Sequence, residues 1–157
     1  MSKLRIPIAI LFVFVLAGAW YVLRPLNPWD ISKRYPVYLV VDRSEFMLYY
    51  LEKGQIKQEF PVVVGKARTR TPLGKWKVGK KTTFDKLGIY GFQKLQLDRL
   101  EGTKYVPTIY AIHGTNHEEF LEKMPRMFSN GCVRLYNKDI AWMWARVPKG
   151  TPVEVVL

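Results

Sequence analysis

The chain has 157 residues, of which 48% are hydrophobic and 14% aromatic. This length leaves room for one domain of ordinary size plus a membrane segment, and the composition excludes a chain that is mainly disordered. Lys and Arg number 25 against 13 Asp and Glu, a net charge of +12, which favours anionic surroundings. The basic residues are scattered and no zinc finger, helix-turn-helix or RNA-reading motif is present. The expected partner is therefore an anionic membrane or wall surface and not nucleic acid; a basic face that only keeps the domain soluble is the alternative.

The N-terminus has the pattern of a membrane anchor. Lys3 and Arg5 precede residues 6–23, which are apolar or small and carry no charge. At about 1.5 Å per residue this run just spans a hydrocarbon core of about 30 Å, and the cationic stub is expected to stay inside the cell. Residues 1–23 are therefore predicted to be a cytoplasmic stub and a single transmembrane anchor in the cell membrane. Secretion after cleavage near Ala19 is the alternative, although the apolar run is longer than the usual signal core of roughly 7 to 15 residues.

Residues 24–34 are predicted to form a short, stiff stalk. Pro25 and Pro28 stand close together there, and proline disfavours helix at the residue before it. The remaining residues, 35–157, then form one extracytoplasmic domain.

β-Strand patterns dominate the first half of this domain. Branched and aromatic residues predict strands at 37–42, 46–51, 56–65 and 75–79. The first three are expected to form a meander, because short polar connections separate them. Residues 71–74 read Thr-Pro-Leu-Gly, a turn signature in which proline presets φ and glycine permits positive φ two positions later.

The second half mixes strands with short helices. Residues 84–107 have no clean period, which predicts either a long excursion that covers a site or a wandering surface loop. Local patterns then predict a strand at 108–112 that ends at His113, a brief helix at 117–123, a helix capped by Asn137 with Ile140, Met143, Trp144 and Val147 on its buried stripe, and a closing strand at 153–157.

The predicted fold is mainly β. Strands outnumber helices, and the helices are too few and too short to supply the regular crossovers of a doubly wound α/β fold. We expect a β-sandwich or half-open barrel of mixed sheets with one or two short helices, preceded by the transmembrane helix.

Cys132 is the first candidate for catalysis. It is the only cysteine in the chain and cannot be half of an internal disulfide. It lies nineteen positions after His113, within the sequence Ser129-Asn130-Gly131-Cys132-Val133-Arg134-Leu135. The pKa of a free cysteine is about 8.5, and a neighbouring imidazolium would stabilise its thiolate. His113 is therefore expected to activate Cys132 as a nucleophile.

Small and polar neighbours are expected to shape this pocket. Gly114 removes side-chain bulk beside His113, and Gly131 lets the backbone bend so that N–H groups near the thiol face a developing oxyanion. Ser129 and Asn130 are pocket residues of the same loop, and Ser129 can donate or accept a hydrogen bond there. Arg134 falls on the same side of an extended segment as the thiol, where it would hold a substrate carboxylate or favour the thiolate.

Each of these residues also has a structural interpretation. A lone cysteine is often a small buried hydrophobe, a lone histidine is often structural, and Arg134 would serve as a salt-bridge partner. Zinc binding by Cys132, His113 and His117 lacks a fourth ligand. No metal or other cofactor is therefore predicted, and His117 is expected to be exposed.

The ordered motifs resemble the L,D-transpeptidase catalytic domain of the YkuD type. The residues that carry the resemblance are Ile112-His113-Gly114-Thr115, the Ser129–Leu135 segment, Gly65-Lys66 and the Thr-Pro-Leu-Gly turn. The resemblance covers roughly residues 37–157. It implies a β-sandwich that acts on peptidoglycan stem peptides and forms 3→3 crosslinks.

The resemblance also implies roles for individual residues. Cys132 would be the nucleophile, His113 the general base, and the Gly131-Cys132 turn the oxyanion-binding backbone, while Ser129 and Arg134 match positions that shape the pocket. The family commonly has histidine where this chain has Asn130, and asparagine does not titrate although it still forms hydrogen bonds. A hydrogen-bonding role would survive this change, whereas a role for charge would not.

Two other functions fit the same motifs. An L,D-carboxypeptidase or amidase would form the same thioester and let water resolve it. A membrane-tethered wall-binding protein with an inactive site would need neither an ionised thiol nor a base.

Overall fold

The computed structural model describes residues 27–157, so the predicted anchor at residues 6–23 lies outside the described part. Across residues 27–157, no helix combines the length and apolar character that crossing a membrane requires. The described chain begins with a five-residue helix, α1 (Pro28–Ser32), inside the segment predicted as a stalk. Pro28 starts this helix, a position where a missing N–H costs nothing. Trp29 and Ile31 of α1 pack against the outer face of the sheet.

Ten strands are present in residues 27–157. They are β1 (Val37–Asp42), β2 (Met47–Glu52), β3 (Gln55–Pro61), β4 (Val64–Gly65), β5 (Gly74–Gly88), β6 (Gly91–Glu101), β7 (Lys104–His113), β8 (Met127–Ser129), β9 (Val133–Arg134) and β10 (Pro152–Val156). Eight of them form one sheet in the order β3-β2-β1-β10-β5-β6-β7-β9, and β4 and β8 form a second, two-stranded sheet. The predicted meander at the start of the domain is confirmed as β1, β2 and β3.

Both sheets include parallel strand pairs. In the large sheet, β10 runs parallel to β1 and β9 runs parallel to β7, whereas the hairpin neighbours are antiparallel. The β4–β8 pair is parallel as well. A parallel pair needs a connection that crosses over, and between β7 and β9 this connection carries a short 3₁₀ helix, Glu118–Leu121. The expected mainly β architecture with a mixed sheet is confirmed.

The segment from 84 to 107 is neither an irregular excursion nor a loop. It contains the end of β5, the whole of β6 and the start of β7. The expectation failed because register irregularities between Thr83 and Gly88 and between Gln96 and Asp98 interrupt the alternation of side chains. A strand with bulges loses the strict period of two that sequence patterns depend on.

The second helix packs one face onto the core. It spans Asn137–Arg146, and Ile140 and Met143 are completely buried on it. Burial of side chains of this size stabilises the fold by about 2 kcal/mol each. Tyr136 is the N-cap residue and makes no side-chain cap hydrogen bond. Asn137 is therefore not the cap that the sequence predicted, and its amide bonds to Thr115 instead.

Candidate active site

The carboxyl end of β7 and the start of β9 bring His113 and Cys132 to the same region. The two strands are parallel neighbours, with Ile112 opposite Val133 and His113 opposite Arg134. A backbone hydrogen bond of 2.9 Å from Leu135 N–H to the His113 carbonyl continues this pairing. Cys132 precedes β9 directly, so by the same register it lies beside Ala111. Side chains two residues apart on a strand share a face, and Cys132 and His113 therefore face the same side of the sheet.

Ser129 holds the loop that presents the thiol. Its side chain is completely buried, its hydroxyl donates to the Cys132 carbonyl at 2.6 Å, and it accepts from the Gly131 N–H at 3.0 Å. Gly131 has a φ of 114°, and a Cβ there would lie 2.6 Å from the Tyr110 ring. Only glycine fits that turn without strain.

Residues of the Gly65-Lys66 and Thr-Pro-Leu-Gly motifs, and of the segment between them, hydrogen-bond to this loop or to one another. The Thr69 hydroxyl donates to the Ser129 carbonyl at 3.1 Å, and the Lys66 N–H donates to the same oxygen at 3.0 Å. The Gly65 N–H donates to the buried Thr71 hydroxyl at 3.0 Å. The motifs are distant from Cys132 in sequence, but they position the strand that leads to it.

His113 is buried and neutral at pH 7. It is 2% exposed, and the Tyr90 ring packs edge-on against it with the ring centroids 5.0 Å apart. Burial, with smaller contributions from the positive charges of Arg134 and Lys94, lowers the pKa of His113 to about 4, although the contact with the Gly114 carbonyl acts in the opposite direction. The sequence-based expectation of an imidazolium at this position is therefore corrected to a neutral imidazole.

The tautomer of His113 follows from its contact with Gly114. Nδ1 faces the Gly114 carbonyl oxygen, which can only accept, so Nδ1 carries the proton. Nε2 of the neutral ring then has a lone pair and is the nitrogen that can act as a base.

The Cys132 thiol is also neutral in this structure. Burial raises the pKa of Cys132, whereas a backbone hydrogen bond at Ala111 and the positive charges of Lys94 and Arg134 act to lower it. Sγ lies 3.9 Å from the Ile109 carbonyl oxygen, and no hydrogen bond to the His113 ring is present among residues 27–157. The expected thiolate–imidazolium pair is thus replaced by a neutral thiol beside a neutral imidazole. Ionisation then has to accompany the chemical step.

Gly114 lets the β7 terminus pack against the second helix. A Cβ on Gly114 would lie 2.2 Å from Asn137 Oδ1. That oxygen accepts the Thr115 N–H at 3.1 Å, and Asn137 Nδ2 donates to the Thr115 carbonyl at 2.8 Å. Asn137 therefore fixes the backbone directly after His113, a role that the sequence did not reveal because it depends on a contact across 22 positions.

The remaining predicted residues differ in their surroundings. Arg134 is half-buried, and its Nε is buried without a hydrogen-bond partner, a situation that costs about 1–3 kcal/mol. Asn130 is exposed, and within the described residues its side chain makes no hydrogen bond. The side chains of Ser129 and Thr69 hold this loop instead. His117 is exposed as expected and pairs with Glu119 at 2.9 Å.

Two residues near the site were not singled out from the sequence. Lys94 on β6 is the register partner of His113, and Tyr90 in the β5–β6 turn covers the His113 ring. The residues 94–98 alternate polar and apolar side chains, a strand signal that would have placed Lys94. Within residues 27–157, no group of three or more His, Cys, Asp or Glu side chains is arranged to hold a metal ion.

Known sequences resemble this chain over the same region. The model of the YkuD family, described as the L,D-transpeptidase catalytic domain, matches residues 36–155. A Bacillus licheniformis protein named as the L,D-transpeptidase YkuD is 28% identical over 120 residues, which cover 76% of this chain and 66% of that protein. A Bacillus subtilis protein named as the L,D-transpeptidase YqjB is 28% identical over 155 residues, covering 89% of this chain and 83% of that protein.

Solved structures share the fold at lower identity. An L,D-transpeptidase from Mycobacterium smegmatis matches with a TM-score of 0.58 at 19% identity, covering 78% of this chain and 59% of that one. The catalytic domain of the Enterococcus faecium L,D-transpeptidase matches with a TM-score of 0.54 at 23% identity, covering 76% of this chain and 95% of that one. The chain thus spans only part of the length of several of its relatives.

The described residues form a mixed-sheet β domain with a cysteine and a histidine at the ends of two parallel strands. The family match covers almost all of this domain. The chain therefore belongs to the L,D-transpeptidase catalytic domain family.

Proposed function

We propose that this chain is an L,D-transpeptidase that transfers acyl groups between peptidoglycan stem peptides through a thioester on Cys132. The observation that carries this proposal is the placement of Cys132, directly before β9, next to the His113 end of the parallel strand β7 inside the matched domain. A thiol close to a neutral imidazole suits nucleophilic attack on an amide with general-base assistance. The names of the related proteins support the substrate class.

In the first step His113 Nε2 takes the thiol proton while sulfur attacks the carbonyl carbon of the third stem residue, typically a diamino acid. This attack requires the Cys132 side chain to turn from the Ile109 carbonyl towards the ring. The C–S bond forms and the carbonyl electron pair moves to oxygen. The C–N bond then breaks, and the imidazolium returns its proton to the nitrogen of the departing D-alanine. The product is a thioester on Cys132.

In the second step an amine of a neighbouring stem attacks the thioester carbonyl. His113 accepts a proton from that amine, the C–S bond breaks, and the sulfur recovers the proton from His113. The new amide is a 3→3 crosslink, and the enzyme returns to its initial state. If water replaces the amine, the same steps produce a trimmed stem and the chain is a carboxypeptidase.

The N–H of Cys132 is the donor that we assign to the oxyanion. Of the two amides in the Gly131-Cys132 turn, the Gly131 N–H already donates to Ser129. The positive charges of Lys94 and Arg134, which act to lower the pKa of the thiol, would also favour the negative charge of the tetrahedral intermediate.

We also propose that residues 6–23 anchor the protein in the cell membrane and that the catalytic domain lies outside the cell. The uncharged run behind Lys3 and Arg5 supports this orientation. The net charge of +12 supports attraction to an anionic membrane or wall surface.

Intact-mass spectrometry tests the proposed chemistry. The purified chain is incubated with a disaccharide tetrapeptide, and the expected result is a gain of one acyl group that Cys132→Ala abolishes. His117→Gln is the matched control for loss of a histidine and should still acylate, whereas His113→Gln should acylate at least about a hundredfold more slowly. Crosslinked dimers among the products support transfer, and trimmed monomers alone support the hydrolase. The proposal fails if neither the adduct nor either product forms.

A further inference from the structure

A row of positively charged side chains flanks His113 in the sheet. Lys94 on β6 is its register partner on one side, and Arg134 on β9 is its register partner on the other. Residues in register on neighbouring strands point to the same face, and the strands lie about 4.8 Å apart. Lys94, His113 and Arg134 therefore stand in line across three strands, with the two long cationic side chains on either side of the buried ring.

The nucleophile shares that face. Cys132 precedes Arg134 by two residues, a distance of about 6.6 Å along an extended chain. Ala111 beside it is small, and Ile109, whose carbonyl oxygen lies 3.9 Å from Sγ, is 81% exposed. Arg134 therefore places positive charge on the same face as the thiol, two residues further along the chain.

Neither cation has an acidic partner. Among residues 27–157, no carboxylate oxygen lies within 4.0 Å of Lys94 Nζ or of the Arg134 guanidinium. Arg134 Nε is buried and unpaired, and Lys94 Nζ lies over the Tyr90 ring, 4.4 Å from its centroid. Both positive charges are therefore available to an anion that binds between them.

We propose that Lys94 and Arg134 together bind the free terminal carboxylate of the acyl donor, and that Lys94 makes the enzyme specific for donors whose C-terminus is not blocked. This inference rests on the proposed function. In a tetrapeptide donor, the terminal carboxylate belongs to the residue that directly follows the scissile carbonyl, about 3.8 Å further along the chain. The two cations likewise lie a short distance from Cys132, on the same face of the sheet as the thiol.

Lys94 acts in this scheme as a specificity residue that contacts the leaving group. It takes no part in proton transfer, because its charge is needed both before and after the C–N bond breaks. The carboxylate stays ionised throughout, and charge-assisted hydrogen bonds from Lys94 and Arg134 hold it while the amide is positioned over the thiol.

Paired donors test this specificity. One is the disaccharide tetrapeptide with a free carboxylate, and the other is the same compound with a C-terminal amide. We expect the wild-type chain to acylate the acid at least about tenfold faster in kcat/KM, the effect of one charge-assisted hydrogen bond. Lys94→Gln should slow both donors, because its charge also favours the thiolate, but it should slow the acid more and so bring this ratio close to one. Lys94→Arg should keep most of the ratio. Lys149→Gln removes an exposed cation elsewhere and should leave the ratio unchanged.

An equal loss for the acid and the amide in Lys94→Gln would overturn the inference, because it would mean that Lys94 only tunes the thiol or supports the fold. Binding of both peptides to the Cys132→Ala chain, measured by calorimetry, separates this inference from the proposed function. Preferential binding of the acid that depends on Lys94, without any acylation in the wild type, would retain the carboxylate site and reject the transpeptidase. Acylation of the acid and the amide at equal rates would retain the transpeptidase and reject the carboxylate site.

Discussion

Cys132 and His113 are both held in their neutral forms by burial. Burial raises the pKa of the thiol and lowers the pKa of the imidazole, so transfer of a proton between them before substrate binds is unfavourable. Lys94 and Arg134 favour the thiolate but oppose the imidazolium. The proposed chemistry therefore depends on a base that is free at neutral pH and on a proton that moves as the C–S bond forms.

The pH dependence of alkylation tests the state of the thiol. Because Cys132 is the only cysteine, its reaction with iodoacetamide can be followed by intact mass. We expect the rate to rise with a midpoint above the usual value of about 8.5. Arg134→Gln removes a charge that acts to lower the pKa of Cys132, so the midpoint should move further up, whereas Lys149→Gln should not move it. A midpoint below pH 7 would contradict the neutral thiol and support a preformed ion pair.

Protonation of His113 should weaken the fold in acid. Its pKa is about 4 in the folded protein and about 6.5 in an unfolded chain, so the unfolded state binds more protons between these values. The free energy of unfolding should therefore fall by up to about 3 kcal/mol as the pH drops from about 6.5 to 4, and this contribution should level off below pH 4. Urea unfolding at several pH values measures the effect.

Two histidine variants make that measurement specific. His113→Gln should remove this part of the pH dependence, because no group at that position then titrates. His117→Gln changes the exposed histidine and should retain it. The same slope in His113→Gln and in the wild type would show that other groups are responsible.

The contact between the second helix and the end of β7 places His113. Asn137 lies at the start of the helix and bonds both backbone groups of Thr115, two residues after the histidine. Gly91 and Gly114 leave space for its amide, since a Cβ on either would lie 2.2 Å from Asn137 Oδ1. The helix thereby sets the position of the strand end as well as covering the core.

Asn137→Ala should therefore lower both stability and activity. Loss of two side-chain hydrogen bonds at a half-buried position is expected to cost about 1–3 kcal/mol, measured by urea unfolding. Asn137→Asp keeps the acceptor for the Thr115 N–H but places a second acceptor against the Thr115 carbonyl, so it should also destabilise the fold. Asn130→Ala, at an exposed position of the active-site loop, should change stability by less than about 0.5 kcal/mol. Equal effects of Asn137→Ala and Asn130→Ala would contradict this role.

The molecule as a whole combines a basic domain with a predicted anchor. The net charge is +12, and among residues 27–157 the acidic partners of the basic side chains are few, namely Asp30 with Lys33 and Glu119 with His117. A surface whose cations are largely unpaired is attracted to anionic polymers at moderate ionic strength. The anchor would hold this surface close to the wall.

Membrane extraction tests the predicted anchor. We expect the full chain to remain in the membrane pellet after an alkaline wash and to be released only by detergent, because a span of 18 apolar residues inserts stably. Lys3 and Arg5 should remain at the N-terminus of the isolated protein by mass. A mature chain that begins near residue 20 and appears in the soluble fraction would show that the segment is a cleaved signal.

Local sequence patterns were sufficient for much of the fold. The branched and aromatic residues of β1, β2 and β3, the apolar stripe of the second helix and the strand before His113 are all features of residues close together in the chain. The motifs around Cys132 identified the family for the same reason, because the loop chemistry of Ser129 and Gly131 acts over two or three residues. The second half of β5 and the whole of β6 were missed because register irregularities break the local period.

The tertiary structure determined the protonation states of the site and the residues that surround His113. Lys94, His113 and Arg134 are in line only because β6, β7 and β9 are neighbours in the sheet. The burial that keeps His113 and Cys132 neutral comes from the packing of the Tyr90 turn, the second helix and the active-site loop around them. Solvation and charge depend on distances in space, so residues that are far apart in the chain determined the chemistry of a motif that the sequence already contained.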